Sequence, residues 1–192
     1  MKQHDRRLEV SNAAWRVIVR EGLDRATMRA IARELDCTTG VVTHYFHSKE
    51  ELILFALHQV TERLQRIMGT LTAQTEGAAR LVAMLTAFLP VDREREEILR
   101  VWVAFLGYAV GREALMGEHQ HSAGSLRQAI IQELEALQQT HVVRADIVPS
   151  STANVLLALA NGVALDTLLQ AQSLSVKQQR EAIEEQVQAL LA

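Results

Sequence analysis

The sequence predicts an all-α protein of about nine helices. Apolar residues recur at the helical spacing i, i+3, i+4 and i+7 through most of the 192 residues. Two prolines and nine glycines provide few of the turns that a many-stranded sheet requires, and alternating β-branched segments are scarce. The hydrophobic content of 48% is enough to bury the core of one large or two small domains.

The N-terminal segment predicts three helices with defined ends. The first covers residues 5–21, and Gly22 supplies the left-handed residue that commonly ends a helix. Thr27 is placed to cap the second helix, whose apolar residues lie on one face. Residues 36–37 then form a tight connection, and Thr38 is expected to cap a short third helix.

A capping box predicts the start of the fourth helix, with Ser48 accepting from the backbone of Glu51 while the Glu51 carboxylate reaches back. This long helix is expected to end or kink in the threonine- and glycine-rich stretch 69–77. The boundary between domains is placed inside it, because no proline- or serine-rich linker follows. The remaining predicted helices cover residues 77–89, 92–110, 112–139, 151–171 and 175–191, and a second capping box opens the last of them.

Composition and charge indicate a soluble, cytoplasmic protein outside the membrane. The longest near-continuous apolar run, residues 98–110, is shorter than the about 20 residues that span a bilayer. The single Cys37 excludes an internal disulfide and a multi-cysteine zinc site. Residues 1–50 hold nine Lys and Arg against seven Asp and Glu, whereas the rest of the chain is acidic. This asymmetry fits a modest basic patch at one end.

Residues 28–46 fit a helix-turn-helix, in which a short turn joins two short helices and the second enters the DNA major groove. The second helix is too short and too polar to form a core element by itself. Its polar face offers small or hydrogen-bonding residues: Thr38, Thr39, Gly40, Thr43 and His44. An ordinary helix hairpin inside a bundle satisfies the same spacing, so spacing alone leaves both interpretations open.

Two strings favour the DNA-binding interpretation. Residues 28–35 (MRAIAREL) and 37–52 (CTTGVVTHYFHSKEEL) resemble the signature of the TetR family of transcriptional regulators. The shared features are a glycine three residues into the recognition helix, an aromatic pair at its end and a Lys-Glu-Glu-Leu start to helix four. Residues 43–46 are similar to the BetI subgroup of choline-responsive repressors. Asp36 and Cys37 depart from the commoner family residues at the turn, but Asp tolerates a left-handed conformation and Cys behaves as a small hydrophobe.

The resemblance implies a TetR-like fold, with a three-helix DNA-binding domain at residues 1–50 and a ligand-binding and dimerisation domain at residues 51–192. It implies major-groove contacts from the polar face listed above, with Thr39 and His44 as the best candidates for base contacts. Phosphate contacts are implied for Thr27, Tyr45, His47 and Lys49. Val41, Val42 and Phe46 are expected in the core.

A DNA reader of this size gains selectivity as a two-fold dimer that reads two half-sites of a palindromic operator. We expect a homodimer through residues 151–171 and 175–191, where large apolar residues are interleaved with alanine and glycine. The alternative is that these helices only close the core of the monomer.

Aromatic residues and methionines indicate a site for a small-molecule effector, since aromatic faces attract organic cations. The predicted ligand-binding residues are Met84, Phe88, Trp102, Phe105, Tyr108 and Met116. A stripe of this kind is also typical of plain core. His119 and His121 are two residues apart and do not face together on a helix, so no metal site and no cofactor is predicted.

Together these features predict a transcriptional repressor that binds its operator as a homodimer and is released by a small molecule. Two alternatives stay open, a ligand-independent DNA-binding regulator and a small all-helical enzyme. The enzyme is disfavoured because no Ser/His/Asp set, paired carboxylates or metal spacing stands out.

Overall fold

The computed structural model of the protein describes residues 2–170 and 173–192, with side chains from residue 6 onward. Within these residues the chain forms nine α-helices, and the β-structure there is an isolated bridge between Val143 and Leu191. The helices are α1 (Lys2–Glu21), α2 (Met28–Glu34), α3 (Thr39–Tyr45), α4 (Lys49–Thr72), α5 (Gly77–Thr86), α6 (Arg93–Ala109), α7 (Glu113–Gln139), α8 (Pro149–Leu169) and α9 (Val176–Gln188). The all-α prediction is confirmed. The predicted end of the eighth helix, at residue 171, lies outside the described residues.

The helix ends follow local signals in the sequence. Gly22 has φ +85° and Asp36 has φ +50°, so both adopt the left-handed conformation that commonly follows a helix. The hydroxyl of Thr27 accepts from the backbone N–H three residues later, as an N-cap does. Ser175 and Gln178 form the predicted capping box at the start of α9. These local predictions are confirmed.

Helix α4 continues past Gly69 and ends at Thr72, inside the stretch where the sequence predicts its end. Arg80 of α5 donates to the carbonyl oxygen of Thr72 at 3.2 Å and pairs with Glu133 of α7 at 3.0 Å. A cation at a helix C-terminus interacts favourably with the helix dipole. One arginine therefore links the ends of α4 and α5 to α7.

Packing divides the chain into two units. The first comprises Met1–Thr61 and Arg100–Gln120, and the second comprises Glu62–Leu99 and His121–Ala192. Helices α4, α6 and α7 each contribute residues to both units. The sequence predicts a DNA-binding domain that ends at residue 50. The first packing unit is larger than this domain, because it extends to Thr61 and also includes Arg100–Gln120.

In the first unit, α1 packs against α2 and α3. Buried residues at this junction include Trp15, Ile18, Ile31, Val42 and Phe46. An ion-pair cluster also joins α1 to α2, because Glu34 accepts from Arg16 at 2.7 Å and from Arg20 at 2.9 Å. The hydrogen bonds from Arg16 and Arg20 hold the pKa of the Glu34 carboxyl below its usual value.

In the second unit, α5 packs against α8 and α9. Fully buried aliphatic side chains form its centre: Leu81, Leu85, Leu89, Ile130, Leu134 and Leu156. The side-chain amide of Gln138 donates to the carbonyl oxygens of Arg144 and Ile147, at 3.2 and 3.1 Å. The loop between α7 and α8 is therefore held against the end of α7.

Candidate nucleic-acid interface

Helices α2 and α3 form a two-helix hairpin closed by a tight turn. The backbone N–H of Cys37 donates to the carbonyl of Ala32 at 2.9 Å, and Asp36 takes the left-handed conformation between the helices. Thr38 is the N-cap of α3 but its side chain makes no capping hydrogen bond, unlike the expectation from the sequence. Because Val42 is fully buried, α3 lies on the core with one face and exposes the other.

The outer face of α3 carries the residues predicted to enter the major groove. All are exposed: Thr38, Thr39, Gly40, Thr43 and His44. The hydroxyl of Thr43 donates to the carbonyl oxygens of Thr39 and Gly40, both at 3.2 Å, which leaves its oxygen free to accept. As predicted, Val42 and Phe46 lie in the core, whereas Val41 is only half-buried.

Gly40 has no reason within the described residues to be a glycine. Its φ lies outside the left-handed region, and an added Cβ would meet only the hydroxyl of Thr38, at an ordinary 3.7 Å. Glycine inside a helix costs about 0.5–1 kcal/mol relative to alanine. The missing side chain leaves the backbone of this exposed face uncovered at Gly40.

The residues predicted to contact phosphates lie at the start of α2, at the end of α3 and around the start of α4: Thr27, Tyr45, His47 and Lys49. Thr27 and His47 are exposed, whereas Tyr45 and Lys49 are half-buried. The Tyr45 ring meets the His44 ring edge-on, with 4.9 Å between their centroids. Thr27 caps α2 and Lys49 is the first residue of α4, and the positive ends of helices attract phosphate.

The ammonium of Lys49 lies between two elements of the first unit. It is 3.4 Å from the carbonyl oxygen of Asp24, in the connection between α1 and α2. It is also 5.6 Å from the ring centroid of Tyr108, near the end of α6. The side chain is therefore anchored without being paired to a carboxylate in either of these contacts.

A network around Glu51 holds the corner between α3 and α4. The Glu51 carboxylate accepts from the backbone N–H of His47 at 2.9 Å and from Arg7 of α1 at 3.0 Å. The N–H of Glu51 donates to the Ser48 hydroxyl at 3.0 Å, which confirms that half of the predicted capping box. We call these four residues the Glu51 corner.

Arg7 closes the Glu51 corner from α1. Its guanidinium lies 5.2 Å from the ring centroid of Phe46 and 5.1 Å from that of Phe55. Cation–π contacts of this kind contribute about 0.5–2 kcal/mol. The sequence pattern predicts the capping box but not Arg7, because 44 residues separate Arg7 from Glu51 and no local signal links them.

The residues predicted to bind a ligand are divided between the units. In the second unit, Met84 is buried and Phe88 is half-buried. In the first unit, Phe105 is buried, and three residues are half-buried: Trp102, Tyr108 and Met116. Two of the six side chains thus belong to hydrophobic cores, and the other four expose part of their surface.

His119 lies beside the aromatic residues of α6. Its ring centroid is 6.1 Å from that of Trp102 and 6.0 Å from that of Phe105. The Tyr108 ring contacts two cations of the chain itself, Lys49 and Arg112. In the part of the chain that the structure describes, no group of three or more His, Cys, Asp or Glu residues could hold a metal ion.

Helix α8 carries apolar residues on two faces, one of which is buried and the other exposed. One face is buried in the second unit: Ala153, Leu156, Leu157, Ala160, Val163 and Ala164. The other face is exposed: Val155, Ala158, Gly162, Leu165 and Leu169. These five residues, here called the α8 stripe, follow the spacing i, i+3, i+7, i+10 and i+14 of a coiled-coil seam.

The sequence interpretation assigned residues from both faces of α8 to an interface, and the buried ones belong instead to the core of the second unit. The same holds for Ile183, Val187 and Leu190, which are also buried. Among the described residues, α8 is the one helix long and apolar enough to cross a membrane by length and composition. Polar residues such as Asn154 and Asn161 interrupt its apolar run, so a pattern of unbroken apolar residues does not predict it.

Two family models match the chain. One describes bacterial regulatory proteins of the tetR family and matches residues 11–55; the other describes the C-terminal part of BetI-type transcriptional repressors and matches residues 77–192. The HTH-type transcriptional regulator PksA of Bacillus subtilis is 28% identical over 166 residues, which cover 85% of this chain and 79% of PksA. The HTH-type transcriptional regulator BetI of Vibrio vulnificus is 26% identical over 179 residues, which cover 91% of this chain and 87% of that one.

Solved structures share the fold over nearly the whole chain. A transcriptional regulator from Saccharomonospora viridis in complex with choline matches with a TM-score of 0.90 at 21% identity, covering 98% of this chain and 99% of that one. A transcriptional regulator from Pseudomonas aeruginosa PAO1 matches with a TM-score of 0.82 at 27% identity, covering 98% and 91%. The predicted fold class is confirmed, and the similarity to BetI extends beyond the segment in which the sequence suggested it.

Substitutions at Glu51 test the Glu51 corner. Glu51→Ala removes the acceptor of the His47 N–H and the partner of Arg7, and we expect the free energy of unfolding to fall by about 1–2 kcal/mol. Glu51→Gln keeps a carbonyl oxygen for His47, so its loss should be smaller. The exposed neighbour Glu50 supplies the control, and Glu50→Ala should change stability by less than about 0.5 kcal/mol. Denaturant unfolding measures all three, and equal losses at positions 50 and 51 would contradict the assignment.

Proposed function

Since the chain belongs to the TetR family of bacterial transcriptional regulators, we propose that it is a repressor that binds a palindromic operator as a homodimer and leaves it when a small molecule binds. Regulators of this family bind DNA through the N-terminal helix-turn-helix. The operator contacts, the dimer and the effector are argued below from the described residues.

The exposed face of α3 is the proposed reader of bases. The observation that carries this assignment is the exposed polar face itself, on which Gly40 leaves the backbone uncovered among hydroxyl and imidazole side chains. Thr39 and His44 are exposed on the same short helix and offer a hydroxyl and an imidazole to base edges. We assign specificity to these two residues and close backbone approach to Gly40.

Phosphate contacts supply affinity and position the reader. We assign them to Thr27, Tyr45, His47 and Lys49, which include residues at the positive ends of α2 and α4. Binding through such contacts releases counterions, so the affinity falls as the salt concentration rises. The protein carries a net charge of −3, so DNA binding is confined to this end rather than spread over the surface.

The α8 stripe is the proposed dimer interface. An exposed apolar seam with Ala158 and Gly162 lets two helix backbones approach closely, and a two-fold axis pairs the stripe with its own copy. Leu169 is 72% exposed and Val155 is 60% exposed, an unfavourable state for a monomer in water. Pairing of the stripe also explains the membrane-like composition of α8 without a membrane, and we place the protein in the cytoplasm with its DNA.

The effector is proposed to be a small organic cation. Trp102 and Met116 are half-buried, and a related regulator of the same fold was solved in complex with choline. Effector binding would favour a conformation that does not fit the operator, and a coupling of about 1–3 kcal/mol changes affinity 5- to 150-fold. Helices α4, α6 and α7 supply residues to both units and are the continuous elements available to carry this change.

Two other functions fit fewer observations. A ligand-independent regulator would use the same α3 face but leaves the half-buried Trp102 and Met116 without a role. An enzyme would need a catalytic set, whereas the family consists of transcriptional regulators and the exposed α3 face offers no such set. We therefore propose that the protein acts by binding and not by catalysis.

Gly40→Ala tests the reader, because it should stabilise the protein and weaken DNA binding at the same time. We expect helix stability to rise by about 0.5–1 kcal/mol and affinity to fall by about 1–3 kcal/mol for a duplex that the wild type selects from a random library. Gly117→Ala on α7, also exposed with open space around it, is the matched control and should stabilise without affecting DNA binding. Unchanged affinity of Gly40→Ala would contradict close approach at this position.

Leu165→Glu tests the dimer interface, since a charge in the middle of the α8 stripe cannot be buried against its own copy without a large desolvation cost. We expect sedimentation to show a dimer for the wild type and a folded monomer for the variant, with weaker operator binding. Val110 is 71% exposed and lies outside the stripe, so Val110→Glu should remain dimeric. A dimeric Leu165→Glu protein would place the interface elsewhere.

Choline and its uncharged isostere 3,3-dimethylbutanol test the effector class. Choline should raise the melting temperature and lower operator affinity 5- to 150-fold, a coupling of about 1–3 kcal/mol, whereas the isostere should do neither because it lacks the cation that aromatic faces attract. Thermal shift and operator titration measure the two effects. If no compound that binds the protein changes its affinity for the operator, the result would favour the ligand-independent regulator.

A further inference from the structure

We infer that Tyr108 is a positioning residue for DNA binding, which holds the ammonium of Lys49 where a DNA phosphate can meet it. This role rests on the proposed function, in which Lys49 contacts phosphate. The observation behind it is the contact between the Lys49 ammonium and the Tyr108 ring, 5.6 Å from nitrogen to centroid.

Helix stability does not explain a lysine at position 49. Lys49 is the first residue of α4, and a cation at a helix N-terminus interacts unfavourably with the helix dipole. Glu50 and Glu51 provide the favourable charges in the same turn. A phosphate, by contrast, would be attracted both by the N-terminal N–H groups of α4 and by the ammonium. The position is therefore suited to an anion from outside the chain.

The two contacts that anchor the ammonium leave its charge available. The carbonyl oxygen of Asp24, at 3.4 Å, and the ring of Tyr108 are both uncharged. A carboxylate in their place would neutralise the lysine and compete with phosphate. Fixing a lysine side chain costs conformational entropy. Tyr108 therefore lowers the cost of binding by orienting Lys49 in advance, which is the usual benefit of preorganisation.

Arg112 holds the Tyr108 ring from the turn that follows α6. Its guanidinium carbon is 3.9 Å from the ring centroid, and the guanidinium also donates to the carbonyl oxygen of Tyr108. Gly111, with φ +81°, allows the turn that brings Arg112 back over the ring. The end of α6 thus carries a ring of defined position, and that position sets the position of Lys49.

A double-mutant cycle in the full-length protein tests the role of Tyr108. Tyr108→Leu should weaken binding to the selected duplex about two- to fivefold. Tyr108→Phe keeps the ring and should bind like the wild type. Lys49→Gln should weaken binding and lower the slope of log affinity against log salt by about 1. In the Lys49→Gln background, Tyr108→Leu should have no further effect, because the group that it positions is gone.

If Tyr108→Leu lowers DNA affinity equally with and without Lys49, the ring has a general structural role and the inference is overturned. The inference is also overturned if Tyr108→Leu does not change the DNA affinity of the otherwise wild-type protein. Val110→Ala, at an exposed residue just after α6, controls for disturbance of the turn that follows this helix. If Tyr108→Leu lowers the melting temperature, NMR spectra of the wild type and of Tyr108→Phe provide a second test. Both proteins should show a ring-current shift of the Lys49 ε-protons, and the absence of this shift in both would overturn the contact. If the wild-type protein selects no duplex, the proposed function itself is refuted. This result differs from failure of the inference, in which the wild type binds DNA but Tyr108 does not act through Lys49.

Discussion

The position of α3, the proposed DNA-reading helix, depends on the carboxylate of Glu51. Helix α3 has seven residues, too few to be stable alone, so it must be fixed by what surrounds it. Its inner face is fixed by the burial of Val42 and Phe46, and its C-terminal end by the Glu51 corner. Arg7 adds α1 to the same corner through the ion pair with Glu51 and the contact with Phe46. The outer face of α3 and the start of α4 are therefore held in one arrangement.

Two exposed features reduce the stability of an isolated chain, and the proposed function gives each of them a partner. Gly40 weakens α3 without helping any described contact, and the α8 stripe leaves leucine and valine in water. The first lies among hydrogen-bonding side chains and suits a polar surface that comes close, such as a DNA groove. The second has the spacing of a helix seam and suits a second copy of the same helix.

Local chemistry made much of the fold predictable from the sequence. The left-handed residues Gly22 and Asp36, the cap at Thr27 and the capping box at Ser175 all act within four residues of a helix end. Contacts between distant segments were not predictable, because no local pattern links Arg7 to Glu51 or Tyr108 to Lys49.

Helix α8 shows a second limit of sequence patterns. Both of its faces are apolar, so periodicity does not separate the residues that close the core from the α8 stripe. A specific string led to the candidate base-contacting residues, whose DNA contacts stay a prediction. The predicted ligand-binding residues came from an aromatic stripe, and only the tertiary structure decides which of its members are buried.

The central claim is that two copies of α3 read the two half-sites of one operator. Hydroxyl-radical footprinting of the wild-type protein on its selected duplex tests this claim most directly. We expect two protected patches related by the two-fold symmetry of a palindrome, with their centres about one helical turn of 10 base pairs, or a small multiple of it, apart. A single asymmetric patch, or protection unrelated to any palindrome, would contradict the account.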